Sequence, residues 1–471
     1  TVGSYTLTYS ATDSAGNAAT TVTRTVKVVH RTEPDSPTSV VLFKNIYGEA
    51  AGDYSGSAVS LSEDGLTVAI GAKFNNESRG HVRIYRWINA GWQQLGQDID
   101  GEAIEDLSGG ALSLSADGNI VAIGATGNDG NGNGSGHVRI YQWYENSWVQ
   151  LGQDIDGEYA GDSSGHSVSI SEDGYTVAIG APDNKSDISG NFHGHVRIFQ
   201  WDEESWKQVG QDIEGEHAGD DNGYSVSLSS DGKIVAVGAR FNDDRKEEGH
   251  VRIFHWNGEL WQQLGEDIRG KYTSEYSGWS LSLSGKGDVV AIGAIGAGGN
   301  GYSGNFAGQT RIYKWSGFEW EQLGQDIEGE SEGDHSGYSV SLSKDGQIVA
   351  IGAPQNSADE EDKYARNGHT RIYQWNGVNW EQLTQDIDGE SKFDKSGESI
   401  ALSANGRIVA IGEPGDDANG EWSGKVRLAL IQDIIDTDSD GVPNNCDTVC
   451  LAFGMTADSD DDNDGVLDTS D

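Results

Sequence analysis

The sequence has 471 residues, and its 31 Lys plus Arg against 76 Asp plus Glu give a formal net charge of -45 at pH 7, which argues against nucleic acid as a partner. Hydrophobic residues at 35%, 67 Gly and only 23% charged residues are the composition of a chain with a core, so a solvated acidic coil is excluded. No run of 18 apolar residues is present to insert into a membrane, and the sequence does not start with Met, so it reads as a segment of a longer polypeptide.

Residues 1–30 alternate at Tyr5, Leu7, Tyr9 and Ala11, turn through Asp13 to Asn17, and alternate again at Val22, Val26 and Val28. This pattern is a β-hairpin. It resembles the last hairpin of an immunoglobulin-like domain of the kind strung along large surface proteins. Residues 31–39 follow as a Pro-containing linker.

From residue 40 to 432 the chain repeats. The phrase V-A-[IV]-G-A places its glycine at Gly71, Gly124, Gly180, Gly238, Gly293, Gly352 and Gly412, the last copy reading IGE, and an arginine follows in each unit at Arg83, Arg139, Arg197, Arg252, Arg311, Arg371 and Arg427. Each unit reads as four short strands, because runs rich in Val, Ile, Tyr and Trp are separated by turn residues without a helical period. Asp-Gly or Asn-Gly turns such as Asp64-Gly65 and Asn405-Gly406 join the first two strands, with Lys286-Gly287 as the departure in the fifth unit. The fourth strand, W-x-Q-[LV]-x-[QE]-D-I, occurs only six times, and Val41 to Ile46 supplies the missing copy from the other end. The predicted fold is therefore all-β, a seven-bladed β-propeller of four-stranded blades, its ring closed by an N-terminal strand at about 40–46 that completes the last blade.

Twelve of the 14 Trp recur at the end of the third strand or the start of the fourth, which points to packing of blade on blade. The repeated arginines are expected to pair with the Asp of QDI or with neighbouring carbonyls. A repeated acid, from Asp53 to Asp394, either lines a cation-attracting rim or holds its own turn, and its regularity favours the turn.

The phrases SGYSVSLS at 336–343 and IVAIGAP at 348–354, with a Gly-led strand at Gly368, resemble the FG-GAP repeat of integrin α-chain propellers and their bacterial relatives. That resemblance implies the propeller and leaves function open, since such propellers serve adhesion, carbohydrate binding and scaffolding. It also implies calcium loops between the first two strands, but here that connection is a short S-x-D-G hairpin with too few oxygen ligands.

The loops between second and third strands are long and variable, and they share a face with the crossovers to the next blade. Ligand candidates are the aromatics that break the repeat there: Trp279, Tyr302, Phe306, Tyr364 and Trp422, with Phe192 beside them. Sequons at Asn76, Asn133 and Asn184 are candidates for glycosylation. No zinc-ligand spacing, nucleophile elbow or phosphate-binding loop is present, so no enzymatic activity is expected.

Residues 433–471 form the last segment, and eleven Asp without Lys or Arg fall in 436–471. Asp436, Asp438, Asp440, Val442 and Asp447 have the spacing of an EF-hand-like calcium loop, and Asp460, Asp462, Asp464, Val466, Asp468 and Asp471 repeat it. The stretch resembles thrombospondin type 3 repeats, which implies an irregular tail ordered by calcium. Cys446 and Cys450 form a disulfide candidate, although the family more often joins distant cysteines.

The expected protein is an extracellular or cell-surface, calcium-binding, non-enzymatic molecule. Its propeller serves adhesion or assembly through a protein partner or self-association. The alternative is a lectin-like, glycan-binding propeller within a polysaccharide-directed secreted protein.

Overall fold

The structure is a computed structural model that describes residues 3–9, 22–28, 39–42, 45–185, 192–241, 247–298, 306–357 and 364–432. The N-terminal hairpin pairs Gly3–Tyr9 with Val22–Val28 antiparallel, Gly3 opposite Val28 and Tyr9 opposite Val22. The propeller is a separate compact unit.

Seven antiparallel sheets make the propeller. In the first blade Ala58–Leu61, Thr67–Ala72, His81–Trp87 and Trp92–Gln94 pair in sequence order, from the channel outward. The expected fourth strand is divided. Trp92–Gln94 pairs with the end of the third strand and Ile99–Asp100 with its start, with Gly96 at a φ of 77° between them. The same break recurs in the next five blades.

Ring closure is as predicted. Ser39–Leu42 and Ile46–Tyr47 pair with Lys425–Gln432, so the N-terminal strand is the outer strand of the seventh blade. One short turn, Asn75–Ser78, in which Asn76, Glu77 and Ser78 take φ of 50–63°, is the departure from an all-strand propeller among the described residues.

The sequence explains why the blades stack. The second strand is apolar on both faces, so Val68, Ala69, Ile70 and Ala72 are all buried and each sheet packs against both neighbours. Seven clusters result, each shared by two adjacent blades, as when Ile84 and Ile99 of the first meet Leu112 and Ile123 of the second. Gly71 allows this approach: a Cβ there would lie 2.0 Å from the Gly109 carbonyl oxygen of the next blade. The outer tryptophans stitch the same seam, with Trp148 Nε1 donating to the Leu95 carbonyl at 2.7 Å and Trp206 Nε1 to that of Leu151 at 2.7 Å.

Beside the tight hairpins the central channel narrows to a ring of backbone hydrogen bonds. Glu63 N–H donates to the Ala116 carbonyl, Ala116 to Glu172, Glu172 to Ser230, Ser230 to Gly285, Gly285 to Lys344, Lys344 to Ala404, and Ala404 back to Glu63. Lys344 Nζ spans this ring to the carboxylates of Glu63 and Glu172, and a cavity of about 230 Å³ lies against these residues.

Candidate functional site

The repeated acids hold their own turns. Asp106 is buried and accepts the backbone N–H of Glu102 and Ala103 at 2.9 and 2.8 Å, and Asp162 does the same for Glu158 and Tyr159. Six of the repeated arginines tie their blade to the last strand of the preceding one, as when Arg139 donates to the Asp100 carbonyl at 2.7 Å and Arg197 to that of Asp156 at 2.6 Å, while Arg311 of the fifth contacts the Glu275 carboxylate instead. These groups are scaffold, and a specific site has to be sought where blades differ.

Blades differ most at the mouth of the channel on the long-loop face. The residue entering the first strand is Ser57, Gly110, His166, Tyr224, Trp279, Tyr338 and Glu398 in successive blades. His166 and Tyr224 have ring centroids 4.6 Å apart, Tyr224 and Trp279 5.0 Å, Trp279 and Tyr338 5.5 Å, making a continuous arc over blades three to six. Tyr224 and Trp279 each sit where the first two strands slip register, a bulge that turns a side chain out of the regular pleat.

Arg240 joins this arc to a second row of rings. Its guanidinium lies 3.9 Å from the Tyr224 centroid, 4.7 Å from Phe241 and 5.2 Å from Trp279, and Asp221 accepts from its Nε at 2.9 Å. Outward, Phe241 meets Tyr276 at 5.6 Å, and Tyr276 stacks toward Phe306 at 6.4 Å. A smaller cluster lies between blades seven and one, where Tyr54 packs on Phe74 and Trp422 at 4.9 Å each and Lys395 lies 5.0 Å from the Trp422 ring.

Burial sets the protonation of this face. Desolvation lowers His166 and raises Tyr224 and Tyr338, keeping all three neutral at neutral pH. Burial also raises Asp221, against the hydrogen bond from Arg240 that lowers it. The arc presents neutral rings around one guanidinium, which suits stacking and cation–π contact.

The structure thus brings Trp279 and Phe306 into one cluster and Trp422 into the other, while Tyr364 is 76% exposed and Phe192 44% exposed. Tyr302 lies outside the described residues, as do the calcium candidates 436–471 and the disulfide candidates Cys446 and Cys450. Asn76 and Asn133 are exposed, but Asn184 is 1% exposed and its amide donates to Asp162 at 3.0 Å, so its nitrogen is committed to the scaffold. Sequence reasoning missed Arg240, which stands directly after V-A-V-G-A where the other units have Lys73, Thr126, Pro182, Ile295, Pro354 and Pro414. It also missed Tyr54 and Tyr276, whose seven equivalent positions all take φ of 54–58°, so only the side chain is particular to them.

Four further groups on this face could hold a metal: Glu49, His81 and Asp98; Glu102, His137 and Asp154; Glu158, His195 and Asp212; Glu330, His369 and Asp386. Each histidine opens a third strand and is at most 2% exposed. Desolvation, aided by the nearby arginine, lowers all four, and His137, His195 and His369 fall to about 4.

Comparison with known proteins is informative at one end only. Residues 1–28 match the family model "Bacterial surface protein, Ig-like domain", in keeping with the hairpin expected there and with a surface protein. That match spans too little of the chain to give it a family, and the FG-GAP and thrombospondin likenesses remain resemblances. No curated protein is similar. One solved structure, described as a "putative 6-phosphogluconolactonase" from Bacteroides uniformis, aligns over 75% of this chain and 90% of its own at 13% identity and a TM-score of 0.49. That neighbour is named as an enzyme, so the expectation of no enzymatic activity is withdrawn. A likeness this distant carries no argument about which chemistry, if any, takes place here. No helix among the described residues is long and apolar enough to cross a membrane.

Proposed function

We propose that the chain belongs to an extracellular surface protein whose propeller is an adhesion or assembly module, taking a protein partner on the long-loop face around Arg240 and Trp279. The observation that carries this reading is the asymmetry of that face. A sevenfold scaffold gathers Trp, Tyr and Arg over blades three to six and small residues, Ser57 and Gly110, over blades one and two. Half-buried Trp, Tyr and Arg in a packed cluster are the side chains that most often dominate binding energy at protein interfaces. The N-terminal surface-protein match supports the setting. Calcium in 436–471 is part of this reading and rests on sequence spacing.

Binding to native surface fractions tests it, using the full chain with Arg240→Ala and Trp279→Ala. Each is expected to weaken binding at least tenfold, since a central aromatic or Arg anchor contributes about 2 kcal/mol or more. Phe318→Ala, in a 90% exposed hairpin residue joining the third and fourth strands, is expected to bind like the parent. Equal loss in all three would overturn the assignment. A glycan reading is favoured by one observation, the Tyr54–Trp422 pair flanked by Lys395 and Glu398. A glycan array in which binding disappears with Trp422→Ala and persists with Arg240→Ala would move the function there.

A further inference from the structure

We propose that the blade seams of the long-loop face bind first-row divalent transition ions, Zn²⁺ being the representative, through the histidine that opens the third strand and two carboxylates. The second and third blades carry the case most clearly. His137 is 1% exposed, and its Nδ1 has no hydrogen-bond partner among the described residues. That atom faces Asp154 Oδ2 at 3.9 Å and Glu102 Oε2 at 4.0 Å, with Asp156 Oδ1 also at 4.0 Å. His195 repeats the arrangement, its unpartnered Nδ1 lying 3.8 Å from Asp212 Oδ2 and 3.9 Å from Glu158 Oε2.

These separations are too long for hydrogen bonds. A tetrahedral ion with donors 2.0–2.2 Å away spaces them about 3.3–3.6 Å apart, so each triplet has to close by only a few tenths of an ångström to share one ion. The carboxylates are also oriented from behind. Gln150 Nε2 donates to Asp154 Oδ1 at 2.6 Å, leaving Oδ2 toward the imidazole, and Arg139 Nη1 lies 3.7 Å from Glu102 Oε1, leaving Oε2. Outer contacts of this kind fix the direction of metal ligands. A neutral imidazole with two carboxylates suits zinc or its neighbours and suits calcium poorly.

The departing blades strengthen the argument, because each places a cation of its own on these carboxylates. In the fifth blade Lys271 replaces the glutamate and Gln309 the histidine, and Lys271 Nζ sits 3.1 Å from both oxygens of Asp326. In the seventh, Lys425 replaces the histidine and lies 2.8 Å from Glu390. The fourth keeps Glu216, His250 and Asp267, but Arg269 contacts Asp267 at 2.9 Å. In the four triplets without such an added cation, the third-strand arginine lies at the glutamate's outer oxygen, and the inner oxygens converge on the ring.

The test uses the full chain, stripped with chelator and held in millimolar calcium so that the acidic tail is occupied by the harder ion. Zinc titration by calorimetry is expected to give saturable binding with four equivalents, one for each triplet. Glu102→Lys with His137→Gln gives the second blade the residues that the fifth carries naturally, and it is expected to reduce the stoichiometry by one. Asp154→Asn, a smaller change, is expected to weaken one site at least tenfold, and zinc-edge X-ray absorption is expected to show an imidazole on the bound ion. Absence of saturable binding in calcium, zinc bound without imidazole, or a stoichiometry unchanged in both variants would overturn the proposal.

Discussion

At the scale of single residues, the departures from the repeat are explained by charge compensation. The seventh unit ends its second strand in Gly-Glu where the others end in Gly-Ala, and the structure gives the reason: Glu413 is buried and contacts both Lys425 at 3.0 Å and Arg427 at 2.6 Å. A buried ammonium in the place of a histidine requires carboxylates, and Glu390, Glu413 and Asp416 all lie within 3.0 Å of it. The lysine and its glutamate are legible as departures in the sequence, but their pairing is not, because eleven residues of loop separate them. Histidine at this position has a consequence for stability. His250 falls to about 4 from its ordinary 6.5 because burial disfavours the charged ring and Arg252 and Arg269 repel it, against Asp267. The unfolded chain therefore takes up the proton first, so this contribution is complete above about pH 6.5 and is lost as pH falls toward 4. The loss reaches on the order of 3 kcal/mol for a shift of this size. His250→Gln, the residue found at Gln309, is expected to flatten thermal stability between pH 6.5 and 4, as followed by melting. A slope equal to the parent's would show that the ring does not carry the effect. Asp394, raised to about 6 by burial and Glu413, acts in the opposite direction and limits the total loss.

At the scale of elements, strand type and order follow from alternation and turn chemistry, since Ser62 Oγ and Asp64 Oδ1 close the S-x-D-G hairpin just as its residues suggest. In the fifth blade, where Lys286 replaces the turn Asp, Asp288 takes over by accepting from Ser284 Oγ at 3.0 Å. The division of the fourth strand was not legible: five blades place a left-handed glycine there, such as Gly96, but the sixth divides in the same way at Thr384, so no one residue type marks the break. What the tryptophans do was legible in kind: they pack blade on blade, and the structure adds the hydrogen bond. Trp206 is 3% exposed and donates to Leu151. Trp206→Phe should cost about 1–2 kcal/mol by leaving that carbonyl unpaired, and Trp206→Ala about 3–5 kcal/mol by adding a cavity. Urea unfolding of the two variants checks this, and near-equal losses would mean that the N–H contributes most of the effect.

At the scale of the molecule, closure is the decisive feature. Ser39–Leu42 and Ile46–Tyr47 cover the edge of Lys425–Gln432, and Ile46 enters the core shared by blades seven and one. Removing residues 1–47 is expected to bare that edge, lower the melting temperature and cause self-association, whereas removing 1–37 leaves the ring closed. Light scattering and melting of the two truncations distinguish the cases, and identical behaviour would show that closure contributes little.

The sequence by itself determined the architecture: seven units, four strands in each, and one strand borrowed from the other end. These follow from local alternation and turn residues repeated often enough to leave no other arrangement. The binding face was legible only as a set of unusual loops. The tertiary structure decided that Arg240, Tyr224 and Trp279 meet, although they come from different blades, and that Glu102, His137 and Asp154 converge across a seam. Both depend on how adjacent blades sit against each other, and that is set by packing of Gly71-type approaches and apolar faces distant in sequence, where no local pattern carries the distance between two side chains.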